Sequence, residues 1–461
     1  LAAEDMSLYG YLLKTTPCID ALGKESYVFN NMYANSNWTR PSVASILTGV
    51  YPSTHRLINK TIQNVFVPMN MKHNNIAFFL KSNGYQTAAI VSNVSYAHPA
   101  ANDSYLDFDY APLNTISHEY IEQTNRVGTI VLPLTSYFLK IESRGNAWIE
   151  EFVSKYFILF NKSTQALLRI DKWQTVSYNP PELTFSIADN YLKNVESPFF
   201  LWVHVMTPHA PYLPGDRFAK HFLPNESLLS MHDQEKIGVD NNSGYPARLQ
   251  PVIDDLRLRY DESILSTDAE FGKFLDGIKQ KGLYDNSIIM ITADHGQSFN
   301  NGFAYHGGNN LNQAVIKIPF IMHLPQQIKG ETIISNAEQI DIAPTILDYL
   351  GIEKPLFMDG ESLKKSMEYK YISHKPKYIM NIEGNKFDGV IEKGIVAVIN
   401  KNNKYIYYLE NDKDELYELS ETGREAVIKL NAVNRKHFKN QILNLVKRKN
   451  LDSAKMEITN R

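Results

Sequence analysis

Apolar residues cluster in short unbroken runs at 87–91, 199–206, 287–292 and 318–322, and helical spacing marks 263–279 and 344–350. A run that is apolar at every position, rather than at every second one, belongs to a strand covered on both faces. Alternation of such runs with helices predicts an α/β sandwich with a mostly parallel central sheet flanked by helices. Ligand sites of such sheets collect at the carboxyl ends of strands. That rule singles out Asp294 and His295, just after the 287–292 run, and His209, just after 199–206.

The pattern changes near Lys377. Short Tyr- and Ile-rich stretches at 394–399 and 404–409 predict a smaller α+β part over 377–461, set apart from a larger part over 1–376. The chain closes on a basic tail with Arg435, Lys436, Lys439, Lys447, Arg448 and Lys449. This reads as a solvated helix face, with contact to an anionic membrane as the alternative. Within the larger part, an apolar insertion at about 115–180 contains the stretches 127–141 and 152–160. Pro133 and Lys140 interrupt the first, which falls short of the roughly 18–20 apolar residues needed to cross a bilayer. Two readings stand: a helical cap packed on the core, or a surface that rests on a membrane and receives a lipid-linked substrate.

Composition narrows the picture little. The 461 residues are 43% hydrophobic and 21% charged, as in ordinary globular proteins. A net charge of -3 offers no basic surface for nucleic acid, so none is expected as a partner. A single cysteine, Cys18, excludes an intrachain disulfide framework and reads as a small packed residue.

The segment Asn37-Trp38-Thr39-Arg40-Pro41-Ser42 leads into a helix closed by Gly49. Pro41 suits the first turn and Gly49 the stop. Thr39 then stands where free backbone N–H groups and the positive helix end hold an anion. A threonine in that place is ordinarily a cap and nothing more. As a nucleophile it needs a metal or a base to lower its pKa. Thr292-Ala293-Asp294-His295-Gly296 offers a carboxylate and an imidazole for a metal. A lone Asp-His pair at a strand end is otherwise a hydrogen-bonded turn.

Taken together these segments resemble the sulfatase-like branch of the alkaline phosphatase superfamily. Thr39-x-Pro41-Ser42 with Leu47-Thr48-Gly49-Val50-Tyr51-Pro52 is similar to the sulfatase signature Cys/Ser-x-Pro-Ser-Arg and its Leu-Thr-Gly-x-Tyr-Pro continuation. Further matches follow in the family's order: Gly84-Tyr85, Thr207-Pro208-His209, Tyr260-Asp261-Glu262, Asp294-His295-Gly296 and Asp341-Ile342-Ala343-Pro344-Thr345. Asp412 to Leu419 resembles the segment that closes a small C-terminal antiparallel subdomain.

The resemblance implies a covalent mechanism. Thr39 falls on the nucleophile position, with Asp294, His295 and Thr39 as metal ligands. His209 and His306 contact the transferred group or protonate the leaving oxygen, and Arg40 neutralises a substrate oxygen. One divalent ion is expected, Zn²⁺ or Mn²⁺ by the mixed oxygen and nitrogen donors, with Ca²⁺ as the alternative. His55 and His204 are expected in structural roles.

Two departures shape the expectation. Thr39 and Val43 replace the Cys or Ser and the Arg of the sulfatase signature, so oxidation to formylglycine is closed to this chain. A threonine nucleophile instead resembles phosphoethanolamine transferases and lipoteichoic acid synthases. The family's first strand and its acidic ligand fall upstream of Leu1; Glu4 and Asp5 align with solvated loop positions beyond it. The expected function is therefore a metal-dependent hydrolase or transferase of phosphoesters acting through Thr39 on an anionic ester, lipid-linked in one reading, extracytoplasmic and anchored by an upstream region. The alternatives are a sulfuric ester hydrolase and a non-catalytic binder of a polyanion or lipid headgroup.

Overall fold

A computed structural model describes residues 1–58, 74–92, 108–109, 179–239, 244–300, 302–384, 391–420, 425–428 and 432–456. The apolar insertion lies outside the described residues except at its last two positions. No helix among the described residues is long and apolar enough to cross a membrane.

Six strands carry the main part: β1 (Tyr27–Phe29), β2 (Gln86–Val91), β3 (Phe199–His204), β4 (Ile289–Thr292), β5 (Phe320–His323) and β6 (Glu331–Ile333). One sheet has the order β6-β1-β5-β4. In it β1 pairs parallel with β6, while β5 runs antiparallel to both β1 and β4, so every strand except β5 shares one direction. Strands β2 and β3 pair in parallel, with Gln86 opposite Phe199. A cavity of about 870 Å³ is bordered by every residue of β3 and of β4. Among the described residues, neither strand has a hydrogen-bonded neighbour on its second edge.

Helices cover both faces: α1 (Thr39–Thr48), α2 (Pro181–Leu192), α3 (Gln250–Gln280) and α4 (Ile342–Tyr349). The alternation of side chains along a strand sorts β3 between them. Phe200 and Trp202 pack with Leu47 of α1 and Leu347 of α4, while Leu201 and Val203 pack with Ala188 of α2 and Phe274 of α3. Both faces of β3 are covered by helices, which is why its run is apolar throughout.

The C-terminal sheet is an antiparallel meander of β7 (Lys377–Gly384), β8 (Ile391–Asn400), β9 (Asn403–Tyr408), β10 (Asp414–Leu419) and β11 (Glu425–Val427). Helix α5 (Ala432–Met456) lays Phe438, Ile442 and Val446 on it at four-residue spacing, with Phe438 stacked on Tyr405. Two residues of the basic tail, Arg435 and Lys439, pair with Asp414 and Asp412.

Charged groups inside α3 brace the loops around the sheet. The fully buried Arg259 donates to the carbonyls of Leu223, Asn225 and Ser227 and to Glu262. Glu262 in turn accepts the N–H groups of Phe222 and Leu223. Two residues earlier in the helix, Arg257 binds Glu4 and Asp5. This corrects the expectation that both acids are solvated: Glu4 is exposed, but Asp5 is wholly buried because Arg257 neutralises it.

Asp261 is also buried, and it accepts a hydrogen bond from Tyr11. Burial, reinforced by the charge of Asp5, pushes its carboxyl up to about 8. The unfolded value is about 3.9, so the folded state holds the extra proton and stability falls as pH rises from about 4 to about 8. Asp261→Asn keeps an acceptor for Tyr11 and removes the titration. Between pH 5 and 8 the unfolding midpoint of the wild type is expected to fall relative to that of the variant. Parallel curves for the two proteins would show that Asp261 is ionised throughout.

Candidate active site

The mouth of α1 forms as its sequence dictates. Trp38 is extended at φ -153°, helical geometry starts at Thr39, and Gly49 closes the helix at φ 69° by donating its N–H to Ser45. A left-handed stop at that position suits glycine, which has no Cβ to clash. His55 is buried behind the helix, its Nε2 at 3.2 Å from both Ser45 Oγ and the Pro41 carbonyl, a structural role.

Thr39 is 6% exposed, and its Oγ1 stands 3.2 Å from His295 Nε2. The hydroxyl also bonds the Asp294 carboxylate. Asp294 Oδ2 is 3.3 Å from the same Nε2. Both partners sit in the turn that follows β4, where Asp294 Oδ1 accepts the His295 N–H at 2.8 Å and the Leu1 amine donates to the His295 carbonyl at 2.8 Å.

The tautomer of His295 follows from its other nitrogen. Nδ1 lies 2.9 Å from the Gly296 carbonyl, which only accepts, so Nδ1 carries the proton. Burial holds the ring below the usual histidine range, although Asp294 opposes it, and Nε2 is left as a lone pair. Burial opposes ionisation of Asp294, but His295 and His204 beside it and the hydrogen bond from Thr39 hold its carboxyl below the usual carboxylate range.

A carboxylate, an imidazole lone pair and a hydroxyl with one proton thus converge on one point. Without a cation the two lone-pair bearers repel each other. Ligands held tetrahedrally at Zn distances of about 2.0–2.1 Å stand about 3.3–3.4 Å apart, close to the two separations here. The donor set therefore fits a divalent ion. Among the described residues no third His, Cys, Asp or Glu joins Asp294 and His295 in such a group; the further oxygen beside them is Thr39 Oγ1.

His306 and His209 complete the cluster. The His306 ring is 4.1 Å from that of His295 and 5.2 Å from that of His209. His306 Nδ1 meets Gln297 Oε1 at 2.8 Å, and Gln297 Nε2 donates to the Tyr212 hydroxyl. Burial, with His295 and His209 nearby, holds His306 well below the usual histidine range. His209 Nδ1 donates to the Ala210 carbonyl at 2.7 Å. His204, at the end of β3, is kept neutral by burial despite its proximity to Asp294. Arg40 is the second residue of α1 and is half-buried. Thr39, Asp294, His295, His209 and His306 all line the cavity, which Arg40 does not. Gln297 and Tyr212 carried no sequence signal beyond their neighbourhood to the motifs.

A family model described as Sulfatase matches residues 1–352, and one described as N-sulphoglucosamine sulphohydrolase, C-terminal, matches residues 304–454. The chain belongs to the sulfatase family. It is 24% identical to an arylsulfatase of Clostridium perfringens, across 93% of this chain and 87% of that one. Its fold is similar to that of a protein solved in complex with its substrate D-glucosamine-2-N,6-O-disulfate, with a TM-score of 0.67 at 18% identity, covering 98% and 96% of the two chains. It is also similar to the phosphonate monoester hydrolase of Agrobacterium radiobacter, with a TM-score of 0.65 at 15% identity over 96% and 93%. Members of this family generally use a divalent metal ion.

Proposed function

We propose that this chain hydrolyses an anionic ester, with a sulfuric ester as the substrate class, through the Thr39 hydroxyl and one divalent ion held by Asp294, His295 and Thr39. The observation that carries the reading is the meeting of Thr39 Oγ1, His295 Nε2 and Asp294 Oδ2 at the mouth of α1. The relatives reverse the order of substrate classes expected from sequence and favour sulfate. A phosphoester is the second reading, favoured by Thr39 itself, since an alcohol nucleophile serves in-line displacement at phosphorus without any modification. Transfer to an acceptor alcohol, lipid linkage of the substrate and attachment to a membrane rest on the sequence resemblance alone.

In this reading the α1 N-terminus and Arg40 orient the anionic oxygens. A divalent ion held by Asp294, His295 and Thr39 would supply charge stabilisation and would acidify the Thr39 hydroxyl. Thr39 Oγ1 forms a bond to sulfur or phosphorus as the bond to the ester oxygen breaks. The proton that Thr39 loses is taken up by an imidazole of the cluster, His306 or His209, and passed on to the leaving alkoxide, so the step conserves protons. Water then cleaves the Thr39 adduct and restores the hydroxyl.

The test assays the protein with 4-nitrophenyl sulfate, 4-nitrophenyl phosphate and bis(4-nitrophenyl) phosphate, alongside metal analysis of the wild type, Asp294→Ala and His295→Ala. Turnover of the sulfate is expected, together with about one equivalent of divalent ion that both variants lose. Preference for either phosphate would establish the second reading. Undiminished metal in both variants would overturn the ligand assignment, and binding without turnover of all three would leave the non-catalytic reading.

A further inference from the structure

Gln339 belongs to neither motif, and it is fully buried in the short turn Gln339–Asp341 that leads into α4. Its amide is fully used. Nε2 donates to the Ala293 carbonyl at 2.8 Å and to the Asp294 carbonyl at 2.7 Å, while Oε1 accepts the backbone N–H of Asn35 at 2.8 Å. Carbonyls only accept and a peptide N–H only donates, so the amide has a single orientation. One end grips the turn that carries Asp294 and His295. The other grips the strand exit that runs through Ser36 and Asn37 into Thr39.

Asn35 returns the contact. Its Oδ1 accepts the Ile340 N–H at 3.0 Å, and its Nδ2 donates to Glu338 and to the Tyr378 carbonyl, each at 2.9 Å. The two motif segments need such a link. Thr39 and His295 are 256 residues apart, and the ladder partner of β4 is β5, not any strand that leads to α1. Among the described residues, backbone bonds join the two segments only through a third, from Ala34 to Ile316 and from Gly296 and Gln297 to Val315 and Ala314, whereas the Gln339 amide spans them directly.

We propose that Gln339 is a positioning residue that sets the separation of Thr39 Oγ1 from His295 Nε2 and Asp294 Oδ2 by tying the two segments to one rigid amide. The proposal rests on the reading of these three side chains as the reactive centre. It goes beyond that reading by assigning their alignment to a residue that touches none of the reacting atoms. A displacement of about 1 Å at such a centre is enough to cost about 10²-fold in rate.

The test reads alignment directly and does not depend on turnover. Histidine ¹⁵N resonances are recorded for the full chain as wild type, Gln339→Met, Gln339→Glu and Thr39→Ala. Thr345→Val is the control, because Thr345 is equally buried in α4 and holds Asp341 and Leu363 without touching either motif segment. Met keeps the volume of Gln and removes all three bonds; Glu keeps only the acceptor for Asn35. Thr39→Ala gives the His295 Nε2 resonance without its Thr39 partner. Both Gln339 variants are expected to move that resonance toward the Thr39→Ala position, while Thr345→Val keeps the wild-type position at a comparable loss of thermal stability. A folded Gln339→Met with the wild-type resonance would overturn the proposal. So would failure of both Gln339 variants to fold while Thr345→Val folds, since the amide would then be a folding element. No change of His295 in Thr39→Ala would instead remove the Thr39–His295 contact on which the site reading stands.

Discussion

Thr39→Ala is expected to lower ester turnover by about 10⁴-fold or more, the scale seen when a covalent nucleophile is removed. The loss is chemical and not structural. Helix α1 is started by the extended Trp38 and stopped by Gly49, and its buried residues from Val43 to Leu47 keep their packing in the variant. What disappears is the single hydroxyl proton between Asp294 and His295 and the oxygen that attacks. Thr39→Ser is expected to retain part of the activity, because it keeps the oxygen but loses the methyl that restricts χ1. Mass spectrometry of the protein quenched during turnover should find the sulfate or phosphate on residue 39 of the wild type and of the Ser variant. An adduct on a histidine or an aspartate would assign the nucleophile elsewhere.

Arg259→Leu is expected to destabilise the protein by about 3–5 kcal/mol, as when one partner of a buried ion pair is removed. The guanidinium is fully buried and satisfies the carbonyls of Leu223, Asn225 and Ser227 at 3.0, 2.6 and 2.9 Å as well as Glu262 at 2.7 Å. Leucine leaves all four acceptors without a donor and Glu262 without its counter-charge. Arg259→Lys keeps the charge but not the fork, so it should fall between the two. The braced segment is tied on through Gln234, which bonds both Leu228 and Tyr212 and so reaches the loop bearing His209. Urea unfolding measures the loss. A change under about 1 kcal/mol in Arg259→Leu would mean that water takes over the guanidinium's bonds.

Where chemistry is local, the sequence announces it. The helix at Thr39, its glycine stop and the Asp294-His295 turn are each set by a few adjacent residues, and the apolar runs of β3 and β4 follow from burial on both faces. Strands β1 and β6 are three residues each and too short to show a period. The run at 318–322 divides at Pro319, which has no N–H to offer a ladder, so that 317–318 and 320–323 pair in different sheets. Helix α3 starts at Gln250, ahead of the expected 263, because buried Arg259, Asp261 and Glu262 break the apolar stripe there. Asp5 looked solvated because its partner, Arg257, is 252 residues away. Gln339 was illegible for the same reason: each of its three bonds spans distant sequence, and a lone glutamine has no motif.

The open seam between β3 and β4 has a mechanical side. No ladder among the described residues carries order across it, so the two groups of strands are coupled by side chains such as Trp202, which packs in the clusters on either side. Amides along β2–β3 and β4–β5 are held by their ladder partners. The turn bearing Asp294 and His295 hangs from one border of the seam. A displacement of one group of strands therefore reaches its carboxylate and imidazole through packed side chains and not through a ladder.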